Sequence, residues 1–125
     1  MKLSNEKMLT VHPALLAIAQ KQLPVKASYA IAKNISKIES ELKPYNTERE
    51  KLLKQYAVLE KDGKIKADDN GQVTIKNDCL EAWNKDIREL LAIENEVDIH
   101  KFSINVLEGF NMSAAEIINL DFMLE

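Results

Sequence analysis

Apolar positions recur at helical spacing through most of this chain. Between residues 5 and 21, Met8, Leu9, Leu15, Leu16, Ile18 and Ala19 form an apolar stripe that predicts a helix. Pro13 lacks an amide proton but suits a first turn, so it is expected to kink this helix or to open a second short one. "QLPV" then interrupts the pattern at Pro24. Next comes the strongest periodicity. Ile31, Ile35, Ile38, Leu42, Tyr45, Leu52, Tyr56 and Leu59 alternate in steps of four and three, with Arg49 in the one polar step. Lys33, Lys37, Glu39, Glu41, Lys43, Glu48, Glu50, Lys51 and Lys54 fall between them as a solvated face. The seam predicts one helix over about 26–59, roughly 50 Å long at 1.5 Å per residue. Pro44 opposes it, and "TERE", Thr47 to Glu50, fits a capping box that restarts a helix, so a kink or short break is expected near 44–47.

Leu80, Trp83, Ile87, Leu90 and Leu91 mark a partner helix over 78–95, with Asn77 or Asp78 as its cap. Val97, Ile99 and Lys101 or Phe102 alternate as in a strand over 97–104. Gly109 closes that region. "SAAE", Ser113 to Glu116, is a second capping box. It opens a last helix with Ile117, Ile118, Leu120, Phe122, Met123 and Leu124.

The stretch "IKADDNGQVTI", residues 65–75, allows two readings. As an EF-hand loop with Gly71 at position 6, it would place Lys66 at position 1 and Asn77 at position 12, where carboxylates are needed. Calcium binding fails on those two ligands. As a hairpin, a three-residue loop Asp69-Asn70-Gly71 pairs Ile65 with Ile75 and Ala67 with Val73, which gathers the apolar side chains on one face. Gly71 then occupies the last loop position, where a left-handed residue is wanted. The acidic residues are turn formers. The expected fold is mainly α with a small β-hairpin or sheet (α+β). An antiparallel long helical pair is tipped by the hairpin, with N- and C-terminal helices added, in a single domain over 1–125.

Composition narrows the function classes. Of 125 residues, 46% are hydrophobic and 30% charged, as in ordinary globular proteins, so disorder is not expected. Three Gly and three Pro suit a helical rather than a loop-rich β fold. The net charge of −3 comes from 17 basic and 20 acidic residues. It argues against a general nucleic-acid binder, which needs a basic surplus, and the many basic residues argue against a DNA mimic. Cys79 is the sole cysteine, so no internal disulfide can form. Glu6, Lys7 and His12 interrupt the first residues, unlike a signal-peptide core, and no apolar run reaches the length of a membrane span. A cytoplasmic protein is expected.

Candidate chemistry is sparse. His12 and His100 have no ligand at metal spacing, and structural roles are expected for both. Cys79 is placed where a helix dipole lowers a thiol pKa, but has no histidine near it in sequence. Glu39, Glu41, Glu48 and Glu50 could pair as hydrolase acids, yet interleaved lysines mark them as a solvated face. No Gly-rich phosphate loop, Walker motif or serine nucleophile elbow occurs. No catalytic, metal or cofactor residue is therefore nominated. Trp83 is read first as core and second as an interface anchor. The last helix, "EIINLDFMLE", is apolar over much of its circumference. It is expected to be covered by another element or another subunit, with Leu120, Phe122 and Met123 as interface candidates beside Trp83.

"LPVKASYAIAKNISKIESELKPYNTEREKLLKQYA", "GKIKADDNGQVTIK", "WNKDIRELLAIENEVDI" and "LDFMLE" together resemble a family of small uncharacterised proteins of tailed bacteriophages and prophages of Gram-positive bacteria. The resemblance covers nearly the whole chain. The family is described as a domain of unknown function, so it implies a setting and no catalytic residues. That setting implies a non-enzymatic protein that binds a protein partner in the host cytoplasm, for example to inhibit a defence system. A virion-assembly or chaperone-like factor is the alternative. A small-nucleotide sponge is weakened by having only Arg49 and Arg88 to grip phosphate. Self-association is also expected, from the seam and the last helix, whereas nucleic-acid and membrane partners are not.

Overall fold

The computed structural model describes every residue from Met1 to Glu125. In chain order the elements are β1 (Lys2–Ser4), α1 (Asn5–Ile18), α2 (Val25–Tyr56), α3 (Leu80–Ala92), β2 (Glu94–Glu96) and α4 (Ala114–Leu120). The fold is mainly helical with one small antiparallel sheet, as the periodicity implies. No helix is long and apolar enough to cross a membrane. Contacts gather in two compact units, residues 1–42 with 94–125, and residues 43–93.

The first unit begins with a strand that the sequence reading did not place. β1 pairs with β2 in antiparallel register, Lys2 with Glu96, Leu3 with Asn95 and Ser4 with Glu94. Ser4 then ends the strand and caps α1, its hydroxyl accepting from the Lys7 amide at 3.0 Å. Met8, Val11, Leu15 and Ile18 follow in steps of three and four, and all four are buried. Pro13 lies on the exposed side of α1 and neither splits it nor starts a second helix. Ala27, Ala30, Ile31, Ile35, Ile38 and Leu42 bury the facing stripe of α2. The capping box at Ser113 and Glu116 forms as expected, with Ser113 Oγ accepting at 3.1 Å and Glu116 Oε1 accepting at 2.9 Å. α4 packs on α1 and sends Leu120 and, from the turn after it, Met123 into the same core.

The expected strand over 97–104 does not form. Its alternation is real, but its backbone groups have other partners. Asn34, fully buried on α2, donates from Nδ2 to the His100 carbonyl at 2.9 Å and accepts at Oδ1 from the His100 amide at 2.8 Å. The side-chain amide thus imitates one rung of a sheet. Phe102 makes a single parallel bridge with Leu124: its amide donates to Met123, and its carbonyl accepts from the Glu125 amide. A 3-10 turn, Ile104–Leu107, then replaces any further strand.

The second unit departs from the expected helix boundaries. α2 is uninterrupted through Pro44. Thr47 does not start a new helix; its hydroxyl turns back to the Lys43 carbonyl at 3.1 Å. The seam also changes in this unit. Tyr45 is buried, Leu52 and Tyr56 are half-buried, Leu53 and Ala57 take the enclosed positions, and Leu59 is exposed. α3 starts from a 3-10 turn, Asn77–Cys79, and neither Asn77 nor Asp78 caps it. It runs antiparallel to the end of α2. Tyr56 donates to Asp86 Oδ2 at 2.7 Å, while the earlier Glu48 and Leu52 share a groove with the later Glu89, Leu90 and Ile93.

Between α2 and α3 the hairpin region is more closed than a simple hairpin. Three short extended segments each pair with the other two, through Ala57 and Ile75, Leu59 and Ile65, and Ala67 and Val73. Val58 lies at the junction, donating to the Thr74 carbonyl at 2.9 Å and accepting from the Lys66 amide at 3.0 Å. The expected pairing of Ala67 with Val73 forms. Ile65 and Ile75 do not face each other, because the segment after α2 comes between them. Asp68 organises the loop, its Oδ1 accepting from the amides of Asn70 at 2.9 Å and Gln72 at 2.8 Å. Gly71 has φ +78°. A Cβ there would meet nothing within 4 Å, so the cost of Gly71→Ala is backbone strain alone. The substitution should destabilise by about 1 kcal/mol in denaturant melts. A variant as stable as the parent would show that the turn needs no left-handed residue.

Candidate functional site

The first unit carries a groove of about 670 Å³. One wall is the first turns of α2. Val25 and Tyr29, one turn apart, stand 83% and 58% exposed. The other wall is the segment from His100 to Ser103, continued by Val106. Phe102 forms a buried part of the lining and Glu125 lies on the rim. Asn34 positions the second wall through its two bonds to the His100 backbone. The His100 ring then meets Tyr29 edge-on, with centroids 5.5 Å apart at 80°.

Lysines surround these apolar groups. Lys26 and Lys101 line the groove, and Lys33 places its Nζ 5.5 Å from the centre of the Tyr29 ring. Five lysines elsewhere are paired: Lys21 with Glu116, Lys37 with Asp98, Lys51 with Glu48, Lys54 with Glu50 and Lys64 with Asp62. Lys26, Lys33 and Lys101 make no such pair; Lys33 is turned to the Tyr29 ring, and Lys26 and Lys101 leave two uncancelled positive charges in the lining.

The residues singled out in the sequence fall in other places. Leu120 and Met123 are fully enclosed in the core, so they are not available as interface anchors. Their burial also removes much of the apolar surface from which self-association was expected. Phe122 and Trp83 are half-buried. His12 is held by Glu39 at 2.9 Å. Glu48 and Glu50 form solvated pairs with lysines on the same helix. Burial first, and Asp78 second, push the Cys79 thiol above its ordinary pKa, the opposite of an activated nucleophile. The groove residues Val25, Lys26, Tyr29 and Lys101 are not among the candidates that the sequence offers. The available signal was Val25 and Tyr29 at helical spacing, off the Ile31–Ile35–Ile38 seam, on a face with no apolar continuation.

The loop before α4 is tied down near this unit's surface. Lys21 donates to Glu116 Oε1 at 2.8 Å and to the Asn111 carbonyl at 3.4 Å. The hydrogen bond from Lys21, and then the Ser113 backbone amide, hold the Glu116 carboxyl below its ordinary pKa. A depressed carboxylate pKa stabilises the fold above the unfolded value and loses that contribution as pH falls through the folded one. The melting temperature should therefore drop as pH falls below about 4.3, the ordinary glutamate value, and Glu116→Gln should flatten that dependence. Equal slopes for parent and variant in melts across this range would sink the assignment. Compared with protein-family models, with curated proteins and with solved structures, the chain gives no match.

Proposed function

We propose that this chain is a non-enzymatic protein of a tailed phage or prophage that acts in the host cytoplasm by binding a protein partner, such as a component of a host defence system. The observation that supports this reading is the groove between the start of α2 and residues 100–106. Water-exposed Val25 and Tyr29 are costly to leave bare at about 25 cal/mol per Å², and a partner that covers them recovers that free energy. A concave apolar surface with an exposed tyrosine at its edge has the make-up of an interface hot spot. The polar side chains that could suggest chemistry have structural work instead: His12 is bound to Glu39, and the His100 ring packs on Tyr29.

The test is affinity capture from infected host cells with the tagged parent, Val25→Asp and Tyr29→Ala, read by mass spectrometry. A defined protein retained by the parent should be lost with Val25→Asp. Tyr29→Ala should weaken its binding by about thirtyfold, the loss of one anchor worth about 2 kcal/mol. Both variants alter exposed positions, so their melting temperatures should match the parent. Retention of the same protein by both variants would exclude the groove as the binding surface.

A further inference from the structure

We infer that the occupant of this groove is an acidic segment of a protein partner that carries apolar side chains between its carboxylates. The inference rests on the groove being the docking surface and adds the chemistry of what docks there. Its basis is a local charge opposite to that of the whole chain. The chain is −3 overall, yet Lys26 and Lys101 line the groove beside Val25, Tyr29 and Val106, and Lys33 stands 5.5 Å from the Tyr29 ring centre, against one acidic side chain in the lining, Glu125. None of these three lysines is neutralised by an ion pair of the chain's own, so their charge adds to the groove rather than cancelling within it.

Unpaired cations beside apolar surface lose hydration when that surface is covered, and an anionic partner best replaces what is lost, because charge-assisted bonds are stronger than bonds to neutral acceptors. A lysine-rich segment would meet like charge in a partly dewatered groove. Carboxylates alone would leave Val25 and Tyr29 uncovered. The ligand that answers both features alternates acidic and apolar side chains. A nucleic acid would supply negative charge but could use only the Tyr29 and His100 rings for stacking. It would leave Val25, Val106 and Phe102 without matching groups, and no arginine is available at the groove to fork onto phosphate.

The experiment is fluorescence anisotropy with the full chain and short labelled probes. One synthetic peptide interleaves glutamate and aspartate with leucine and phenylalanine. A second replaces its acids by lysine, a third replaces its apolar residues by serine, and the fourth probe is oligouridylate. The first peptide should bind best, and its affinity should fall as salt rises. The double variant Lys26→Glu, Lys101→Glu should weaken it by about tenfold or more, and Tyr29→Ala should weaken it as well, with melting temperatures unchanged. Three results would overturn the inference: no binding of the first peptide, equal affinity after charge reversal, or tighter binding of oligouridylate. If the lysine peptide binds instead and Tyr29→Ala abolishes that binding, the acidic preference is wrong while the groove stands as a docking surface. If the cellular partner is still retained by Val25→Asp and Tyr29→Ala, both readings fall.

Discussion

Asn34→Leu should destabilise the protein by about 3 kcal/mol, although leucine has nearly the same size and is the more hydrophobic side chain. The reason is that Asn34 satisfies both backbone groups of His100 from inside the core. Leucine leaves that amide and that carbonyl without partners, and each such group costs about 1–3 kcal/mol when buried. Gained apolar burial offsets part of this. Against a typical total of about 5–15 kcal/mol, the loss is a large fraction. The effect should reach the groove as well, because residues 100–103 form one of its walls. Denaturant melts of Asn34→Leu would measure the first consequence and peptide binding at a permissive temperature the second. A change within about 0.5 kcal/mol, the range of a neutral surface substitution, would show that His100 finds other partners and that the sheet-like rung is dispensable.

Leu120→Ala and Met123→Ala should each cost about 2–5 kcal/mol, the range for truncating an enclosed aliphatic side chain and leaving a cavity. Both side chains have no exposed surface. Phe122→Ala, at a half-buried position between them, should cost less. If these residues were anchors for a partner, the order would invert: stability would hold and partner capture would fail. Parallel melts and capture assays on the three variants separate the alternatives. Undiminished stability of Leu120→Ala or Met123→Ala would contradict the packing described here.

Much of the architecture was legible in the periodicity, because burial on one face leaves a mark at spacing three and four. Met8, Leu15, Ile31, Ile35, Ile38 and Leu42 announce the core of the first unit in this way. The capping box at Ser113 and the turn at Asp69-Asn70-Gly71 were legible because their chemistry is local. What was missed depends on distant partners. β1 is three residues long and acquires meaning only opposite Glu94–Glu96, far along the chain. Asn34 looks like a solvated residue until His100 is brought to it. The segment 97–104 has the alternation of a strand, but alternation does not say whose backbone will pair with it. The last helix was recognised as apolar on much of its surface, and the sequence left open whether this chain or another covers it. α1 answers that question for Leu120. The groove was illegible for a related reason: it joins the start of α2 to residues 100–106, and Lys26 and Lys101 are ordinary surface lysines until the fold brings them into one lining.

The three-way closure of residues 57–59, 65–67 and 73–75 bears on how this chain behaves at high concentration. An open hairpin presents two rows of amides and carbonyls on which a strand from another molecule can be laid, and such rows seed aggregation. Here each segment meets one neighbour through its first residue and the other through its last. The β-rich Val-Thr-Ile and Ala-Val-Leu stretches are thereby held as rungs of a closed circuit with little room for an added strand. Loosening one rung, as Lys66→Pro would by removing the amide that donates to the Val58 carbonyl, converts the circuit into exposed edges. The expected cost is then a loss of solubility larger than the loss of stability, visible as turbidity on storage at temperatures where the fold is still intact.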